Sequence, residues 1–449
     1  MDTRTQQLLS APPLPLLIRM ATPNSIAFFI QAGVSMAEVW FVGQLGTTSL
    51  AAIALVFPLL MLTQMMSGGA MGGAVASSIA RSLGAGNVQQ AEGLIWHAIA
   101  LAAAGAITFL VVSLLFGNTF LAFLGGEGDV LAQASRYCLI LFFGGFFLWL
   151  LGSLSAVYRG MGNMQFPAML MILNACIQVP LSGVLILGAF GVPSMGVVGA
   201  AVSAITSAAV VSSIMLWRLA YGHLTIQLRR ERLRFQRELF NDILVVFRPA
   251  SLSPLLSVAT ILTLTAIVGR FGEHALAGYG IGSRIEFLIV PLVFGLGAAM
   301  TSLVGMSVGA GDQSRAETVG WTGGFAACLV AGLVGVALAL VPDWWAPLFT
   351  QHPEVITAAT SYMQIVGPAY AFFGLGLSLY FASQGAGAMR WPVLATIARF
   401  LLAVGGALLL AFQFKLGLDG IFYAAAAAMV VYGVMIAGSI KLGAWRRTG

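Results

Sequence analysis

Apolar runs of about 20 residues or more follow one another from residue 14 to residue 440, separated by short breaks rich in Gly, Pro and charged side chains. A run of that length crosses a bilayer as an α-helix. Lipid offers no partner to backbone N–H and C=O groups, and a helix satisfies them within the segment, whereas a β-barrel would need short alternating strands. The runs and breaks predict twelve helices, near 14–42, 49–76, 90–116, 134–157, 166–188, 195–217, 243–268, 276–304, 317–340, 356–382, 391–413 and 420–440. Charged residues make up 8% of the chain and mean hydropathy is +0.96, against about 25% charge in an ordinary soluble domain. The expected fold class is therefore an all-α integral membrane protein, and a water-soluble enzyme is excluded.

The formal net charge of +6 could point to nucleic acid, but the placement of the basic residues assigns them to topology. Connections after even-numbered helices carry Arg81, Arg159, the run Arg218 to Arg237, Arg315, Arg390, Lys441, Arg446 and Arg447. Those after odd-numbered helices carry only Arg270 and Lys415, with Arg136 entering the fourth helix, and hold Glu127, Asp129, Asp343 and Glu354. By the positive-inside rule both termini and the loop after the sixth helix are expected in the cytoplasm, with the chain in the cell (inner) membrane. Membrane lipids, not nucleic acid, are then its macromolecular surroundings. The stretch 218–242 holds six arginines with Leu and Phe between them, which predicts a basic linker containing an amphipathic helix on the inner leaflet. Cys138, Cys176 and Cys328 lie singly inside apolar runs and read as small hydrophobes, not as disulfides or metal ligands. The N-terminal stretch lacks a small-residue cleavage site and is expected to be retained.

The two halves repeat at a separation of about 225 residues. Val42-Gly43-Gln44-Leu45-Gly46 recurs as Val268-Gly269-Arg270-Phe271-Gly272, and Gly84-Ala85-Gly86-Asn87 as Gly309-Ala310-Gly311-Asp312. Gly160, Gly162, Met164 and Pro167 recur as Gly385, Gly387, Met389 and Pro392, and Pro23 recurs as Pro249. Six helices per repeat is an even number, so the halves share one topology about an axis along the membrane normal. The expected architecture is two pseudo-symmetric six-helix lobes around a central cavity: 1–217 the N-terminal lobe, 218–242 the linker and 243–449 the C-terminal lobe.

The segment EVWFVGQLGTTSL at 38–50, RSLGAGN at 81–87, YRGMGNMQFP at 158–167, GSRIEFLIVPLVFGLG at 282–297 and SQGAGAMRWP at 383–392 resemble multidrug and toxic compound extrusion transporters, the MATE family. The resemblance implies twelve helices in two lobes and export of cationic or amphiphilic small molecules by alternating access, in exchange for protons or sodium ions. It implies no cofactor beyond the coupling ion and a monomer.

A carboxylate inside a bilayer costs several kcal/mol unless it is paired, protonated or facing water. Of fifteen acidic residues thirteen fall in the predicted loops, termini or first helical turns, which leaves Glu38 and Glu286 within the spans. Glu92 and Glu317 sit at repeat-equivalent helix starts, where they are expected to complement the helix dipole. The repeat equivalent of Glu38 is Leu264, so symmetry does not require an acid there; a glutamate snorkelling to the outer interface is the plainer alternative. Asn174 and Gln178 are spaced i, i+4 and share a helix face. The similar family segments carry an aspartate at the position of Glu38 and a carboxylate at that of Gln178, so this chain keeps the first acid and loses the second. The expected coupling site has Glu38 as the protonation switch, with Asn174 and Gln178 as its hydrogen-bond partners. Glu286 is a second coupling candidate or half of a buried ion pair with Arg399, with Tyr279, Gln384 and Tyr380 as neighbours. Sodium-binding relatives of the NorM branch carry acids where this chain has Ser257 and Ala388, so the pattern resembles the DinF-type branch and favours H+ as coupling ion over Na+.

Met36, Trp40, Met61, Gln64 and Met65, with Tyr279 and Gln384, are the candidate lining of a substrate cavity, since thioethers and rings adapt to varied amphiphiles and attract cations; a lipid-facing or core stripe explains the methionines as well. Gly68 with Gly72 and Gly69 with Gly73 have small-xxx-small spacing, and Pro23, Pro249 and Pro254 allow helix bending, Pro23 being the candidate gating bend. A sodium-coupled antiporter and a flippase for a lipid-linked precursor are the alternatives. An intramembrane enzyme lacks paired aspartates, HExxH or a Ser/His constellation in the spans, and ATP-driven pumping lacks a P-loop.

Overall fold

The computed structural model describes residues 3–446, which are helical apart from turns and short connections, with no β-strand among them; Arg447 lies outside the described residues. Eleven helices or joined helix pairs are long and apolar enough to cross a membrane, and Gly128–Phe143 with Gly145–Gly160, bent by 53°, makes a twelfth as one broken span. Each predicted span is thus present. The bend falls at Gly144, where a Cβ would lie 2.4 Å from Ile205 Cδ1, so only glycine lets the chain pass so close.

The helices form two compact units: Met1–Thr5 with Ile26–Phe247, and Gln6–Ser25 with Arg248–Gly449. These bounds depart from the expected lobes at two points. The linker and the first five residues of the seventh span, Ile243–Phe247, belong to the first unit, while Gln6–Ser25 belongs to the second. Both divisions fall within a helix near a proline, Pro23 in one and Pro249 in the other. A proline withholds one backbone hydrogen bond, so the turns on either side can pack with different neighbours.

The chain begins with α1 (Thr3–Ser10) and α2 (Pro13–Gly43), which runs on as helix through Pro23. The first unit continues with α3 (Thr47–Gln64), a π-helical segment Met65–Met71 and α4 (Gly72–Gly84), then α5 (Val88–Phe123), α6 (Gly128–Phe143), α7 (Gly145–Gly160), α8 (Gln165–Leu187) and α9 (Val197–Tyr221). After the shared helix α10 (Arg237–Gly269), the second unit adds α11 (Glu273–Ser283), α12 (Glu286–Gly309), α13 (Gln313–Leu340), α14 (Pro353–Val366), α15 (Tyr370–Gly385), α16 (Arg390–Leu408) and α17 (Gly417–Lys441).

The repeat in the sequence is a repeat of packing. A Cβ on Gly160 would lie 2.9 Å from Ala76 O, and one on Gly385 would lie 2.5 Å from Thr301 O. Ala76 and Thr301 are themselves repeat equivalents, so α7 crosses α4 at the point where α15 crosses α12. Gly86 and Gly311 both have φ of 76°, and Gly162 and Gly387 have φ of 73° and 74°, in the region where only glycine is unstrained. Asn87 and Asp312 cap α5 and α13 by accepting from Gln90 N (3.1 Å) and Arg315 N (2.9 Å). The expected small-xxx-small contacts are realised only in part: a Cβ on Gly68 meets nothing within 4 Å, whereas the close approach comes from Gly152 of α7, 3.3 Å from Ser67 O. The π-helical register of Met65–Met71 moves the helix face that α-helical spacing assumes.

Glu92 and Glu317 do not cap their helices. Each instead holds an arginine from the segment that follows the last helix of its own half. Glu92 pairs with Arg229 (3.4 Å) and Arg232 (3.8 Å) of the linker, and Glu317 accepts from Arg446 Nε and Nη2 (2.7 and 2.9 Å) in the C-terminal tail. Trp445 is buried against Gly320 and donates to Ser383 Oγ (3.1 Å). The linker is further fixed by Trp96 Nε1 donating to Arg229 O (3.0 Å) and by the Gln236 N–H donating to His97 Nε2 (2.9 Å), while the other ring nitrogen of His97 meets Gly93 O at 2.8 Å. The expected amphipathic helix is absent: between Tyr221 and Arg237 only Arg230–Arg232 forms a single 3-10 turn, because the linker backbone is bonded to α5.

Gly160→Val and Gly385→Val should each lower the thermal unfolding midpoint of the purified protein, by an overpacking cost of about 1–3 kcal/mol or more. Gly405→Ala, whose Cβ meets nothing within 4 Å, should leave the midpoint unchanged or raise it, helix propensity favouring Ala by about 1 kcal/mol. Scanning fluorimetry distinguishes the two outcomes, and equal effects at all three positions would refute the crossing geometry.

Candidate functional site

In the first unit α2, α8 and α9 bring a row of polar side chains to one acid. Gln178 Nε2 donates to Glu38 Oε1 at 2.8 Å and Ser182 Oγ donates to the same oxygen at 3.0 Å. Behind Gln178, its Oε1 accepts from Asn174 Nδ2 at 3.0 Å. Ser182 Oγ lies 2.5 Å from Ser203 Oγ, and Ser207 Oγ reaches Gln178 Oε1 at 3.5 Å. Asn174, Gln178, Ser182, Ser203 and Ser207 are all buried. Asn174, Gln178 and Ser182 recur every fourth residue on α8, which is why one helix face carries all three toward Glu38.

The structure thus brings Gln178 to Glu38 as expected, whereas Asn174, expected as a second hydrogen-bond partner of the acid, donates to Gln178 and not to Glu38. Ser182, Ser203 and Ser207 were not expected, although the i, i+4 spacing that joins Asn174 to Gln178 continues to Ser182 and also relates Ser203 to Ser207. Glu38 is the sole acid of this network, and every group it bonds to is neutral. Binding a proton therefore changes the charge of the whole cluster by one unit. One acceptor, Asn174 Oδ1, is buried without a hydrogen-bond partner.

In the second unit Glu286 opens α12, and its Oε1 accepts from Tyr370 OH at 3.3 Å; Tyr370 OH lies 2.9 Å from Tyr362 OH. Tyr279 stacks edge-on to Tyr362, with centroids 5.6 Å apart, and lies 6.4 Å from Phe422. The expected ion pair with Arg399 is not made: among the described residues no salt bridge joins the two. Arg399 instead rests over the rings of Phe373 (4.9 Å) and Tyr432 (5.5 Å). Arg284 lies over Phe349 at 5.1 Å. Tyr362 and Tyr370 come from segments whose nearness to Glu286 no local pattern reveals.

The other expected neighbours of Glu286 lie elsewhere. Tyr380 OH donates to Ala250 O at 3.3 Å. Gln384 is buried beside Gly385, which packs on Thr301, about 15 residues and roughly 22 Å along α12 from Glu286. On α2, Met36 and Trp40 are 75% and 61% exposed and share a face that Glu38, two residues from each, does not. Gln64 is exposed, and Met61 and Met65 are half-buried. The acid network and the Met–Trp surface are therefore separate faces of α2. Among the described residues no group of three or more His, Cys, Asp or Glu could hold a metal ion.

Twelve apolar spans in two repeat-related units, with carboxylates kept inside the spans by polar partners, define a helical membrane transporter. The chain belongs to the MatE family: the MatE family model matches it twice, over residues 23–184 and 249–409. The two matches begin at Pro23 and Pro249, the prolines of the repeat. The chain is 27% identical to a protein of Shewanella oneidensis described as "FAD transporter", over 84% of this chain and 82% of that one. It is 26% identical to the "Probable multidrug resistance protein NorM" of Thermotoga maritima, over 90% and 87%. A solved structure described as the outward-facing conformation of a multidrug resistance MATE family transporter superposes with a TM-score of 0.90 at 24% identity, covering 100% of each chain. The fold is that of the MATE transporters, and the family is one of multidrug efflux transporters.

Gln178→Ala removes a donor from Glu38 and the acceptor of Asn174 at once. An expected cost of about 1.5–3 kcal/mol should appear as a lower unfolding midpoint, and Glu38→Ala should abolish most of the further effect of Gln178→Ala in a double-mutant cycle. Additive effects would mean that the two side chains do not act together.

Proposed function

We propose that the chain exports amphiphilic or cationic small molecules by alternating access, in antiport with protons, and that Glu38 is the group that loads and releases the proton. The observation that carries this reading is the neutrality of everything around Glu38: Gln178 and Ser182 donate to it, and no second acid shares the cluster. A protonated Glu38 leaves the cluster uncharged, and a deprotonated one leaves a single negative charge held by two donors, so the two states differ in what burial they tolerate. Ser257 and Ala388, where NorM-type relatives carry acids, support the DinF-type assignment. Pro23 is the candidate bend. The charge pattern supports cytoplasmic termini in the inner membrane, and a monomer suffices for the cycle.

A sodium-coupled antiporter is the second reading, favoured by one observation: the buried Asn174 Oδ1 without a partner offers an oxygen to a cation. For the substrate, the relative described as an FAD transporter raises the case of an anionic aromatic compound, and Arg399 over Phe373 and Tyr432 is the group that favours it.

The test is substrate efflux from proteoliposomes under an imposed pH gradient or an imposed sodium gradient, for the native protein and Glu38→Gln. Efflux that follows the pH gradient and falls to the leak rate in Glu38→Gln is expected. Efflux that follows sodium alone, or that survives the substitution, would overturn the assignment of Glu38 as proton switch.

A further inference from the structure

We propose that the basic linker between α9 and α10 is a docking surface for anionic phospholipid at the membrane surface. Its level in the membrane follows from the helices that flank it. α9 ends in Trp217 and Tyr221, 65% and 78% exposed, side chains of the type that collects where hydrocarbon meets water; the linker begins at the next residue. It is held against the first turns of α5, a helix of 36 residues and so about 54 Å long, well beyond the roughly 30 Å of hydrocarbon. The exposed apolar side chains of α5, Ile107 to Phe116, lie far along the helix from Glu92 and Trp96. The linker therefore sits at headgroup level.

The linker is a fixed surface, not a free strand. Its backbone is bonded by Leu228 N–H to Leu219 O (2.8 Å), by Arg229 O to Trp96 Nε1 and by Gln236 N–H to His97 Nε2. Those bonds leave the side chains outward. Arg230, Arg234 and Arg237 are exposed and form no salt bridge among the described residues, and between them Leu233 and Phe235 are 48% and 60% exposed. Glu231 and Glu238 are exposed in the same stretch, and Glu92 is engaged by Arg229 and Arg232, so positive charge remains in excess. A guanidinium presents a fork of donors that matches a phosphate. A free anion would need only the arginines, whereas a lipid also gives the two apolar side chains an acyl boundary to enter. The alternation of arginine with exposed apolar residues therefore selects lipid.

The experiment counts lipids bound to the purified full-length protein by native mass spectrometry, during titration with phosphatidylglycerol or with phosphatidylcholine. In the triple variant Arg230→Ala, Arg234→Ala, Arg237→Ala the affinity for phosphatidylglycerol should fall by about fivefold per arginine removed, with phosphatidylcholine binding unchanged. Leu233→Ser with Phe235→Ser should also weaken phosphatidylglycerol binding while the arginines remain. All five side chains are exposed, and Trp96 and His97 hold backbone atoms that neither variant alters. Phe235 also meets the rings of His97 (5.5 Å) and Phe240 (5.8 Å), so an unchanged unfolding midpoint of the serine variant is the control for an intact linker. Equal phosphatidylglycerol retention by the native protein and the triple variant would overturn the proposal. So would displacement of the lipid by inorganic phosphate with no effect of the two serine substitutions, which would mark an anion site only.

Discussion

Inside hydrocarbon an unpaired backbone N–H or C=O costs several kcal/mol, and this one constraint decides both what is regular in the structure and where regularity stops. Helices answer it within each span. Every departure from α-helical register then needs a local reason to be tolerated. At Gly144 the 53° break between α6 and α7 is seated against Ile205 of α9. The π-helical turn Met65–Met71 is followed directly by Gly72, where a Cβ would lie 3.1 Å from Arg159 Nη2; a buried guanidinium thus lies beside the segment whose carbonyls are out of register. Pro23 leaves one carbonyl of α2 without its helical donor, close to the boundary between the two units.

The same low dielectric governs the side chains, and the two units meet it in different ways. In the first, Glu38 has only neutral donors, two of them on one oxygen. In the second, Glu286 has a tyrosine hydroxyl backed by another, while Arg399 rests over two aromatic faces and makes no salt bridge with the carboxylate. An acid surrounded by uncharged donors changes the net charge of its surroundings when it takes up a proton. An arginine spread over ring faces keeps its charge at every physiological pH. The first arrangement suits a group that must change state during a cycle, and the second suits a fixed charge.

The spans were legible in the sequence because length and apolarity are the whole of the signal. Gly160 with Gly385, Gly86 with Gly311 and Gly162 with Gly387 were legible because each stands where a side chain would collide or φ is positive, whereas Gly43 and Gly269 meet nothing within 4 Å. The face shared by Asn174 and Gln178 followed from helical spacing alone. Ser182 obeys the same spacing but a serine in a span has many uses, so nothing marked it until Glu38 was seen beside it. Glu92 and Glu317 looked like helix-dipole partners because sequence shows only the helix they start. Their arginines come from the linker in one case and from the tail in the other, each far along the chain, and such pairings are invisible without the fold. The linker misled for a related reason: its Leu and Phe recur between charges as on an amphipathic helix, but its backbone groups are claimed by Trp96 and His97.

Duplication makes the asymmetry of the polar residues informative. The positions that fix packing are kept in both halves: Gly160 and Gly385 at the helix crossing, Gly162 and Gly387 at the turn, Asn87 and Asp312 at the cap. At the same offset of about 225 residues, Glu38 faces Leu264, Asn174 faces Arg399, Gln178 faces Ala403, Ser182 faces Ala407 and Ser207 faces Tyr432. If the network around Glu38 served only to hold α2, α8 and α9 together, the matching helices of the second unit would need its counterpart. They pack instead with leucine, alanine and an arginine lying on aromatic rings, so the shared fold does not require a buried acid at this place. The packing that the two halves share therefore leaves this place open to a side chain of other use, and a single carboxylate among neutral donors is the simplest group that can carry one proton.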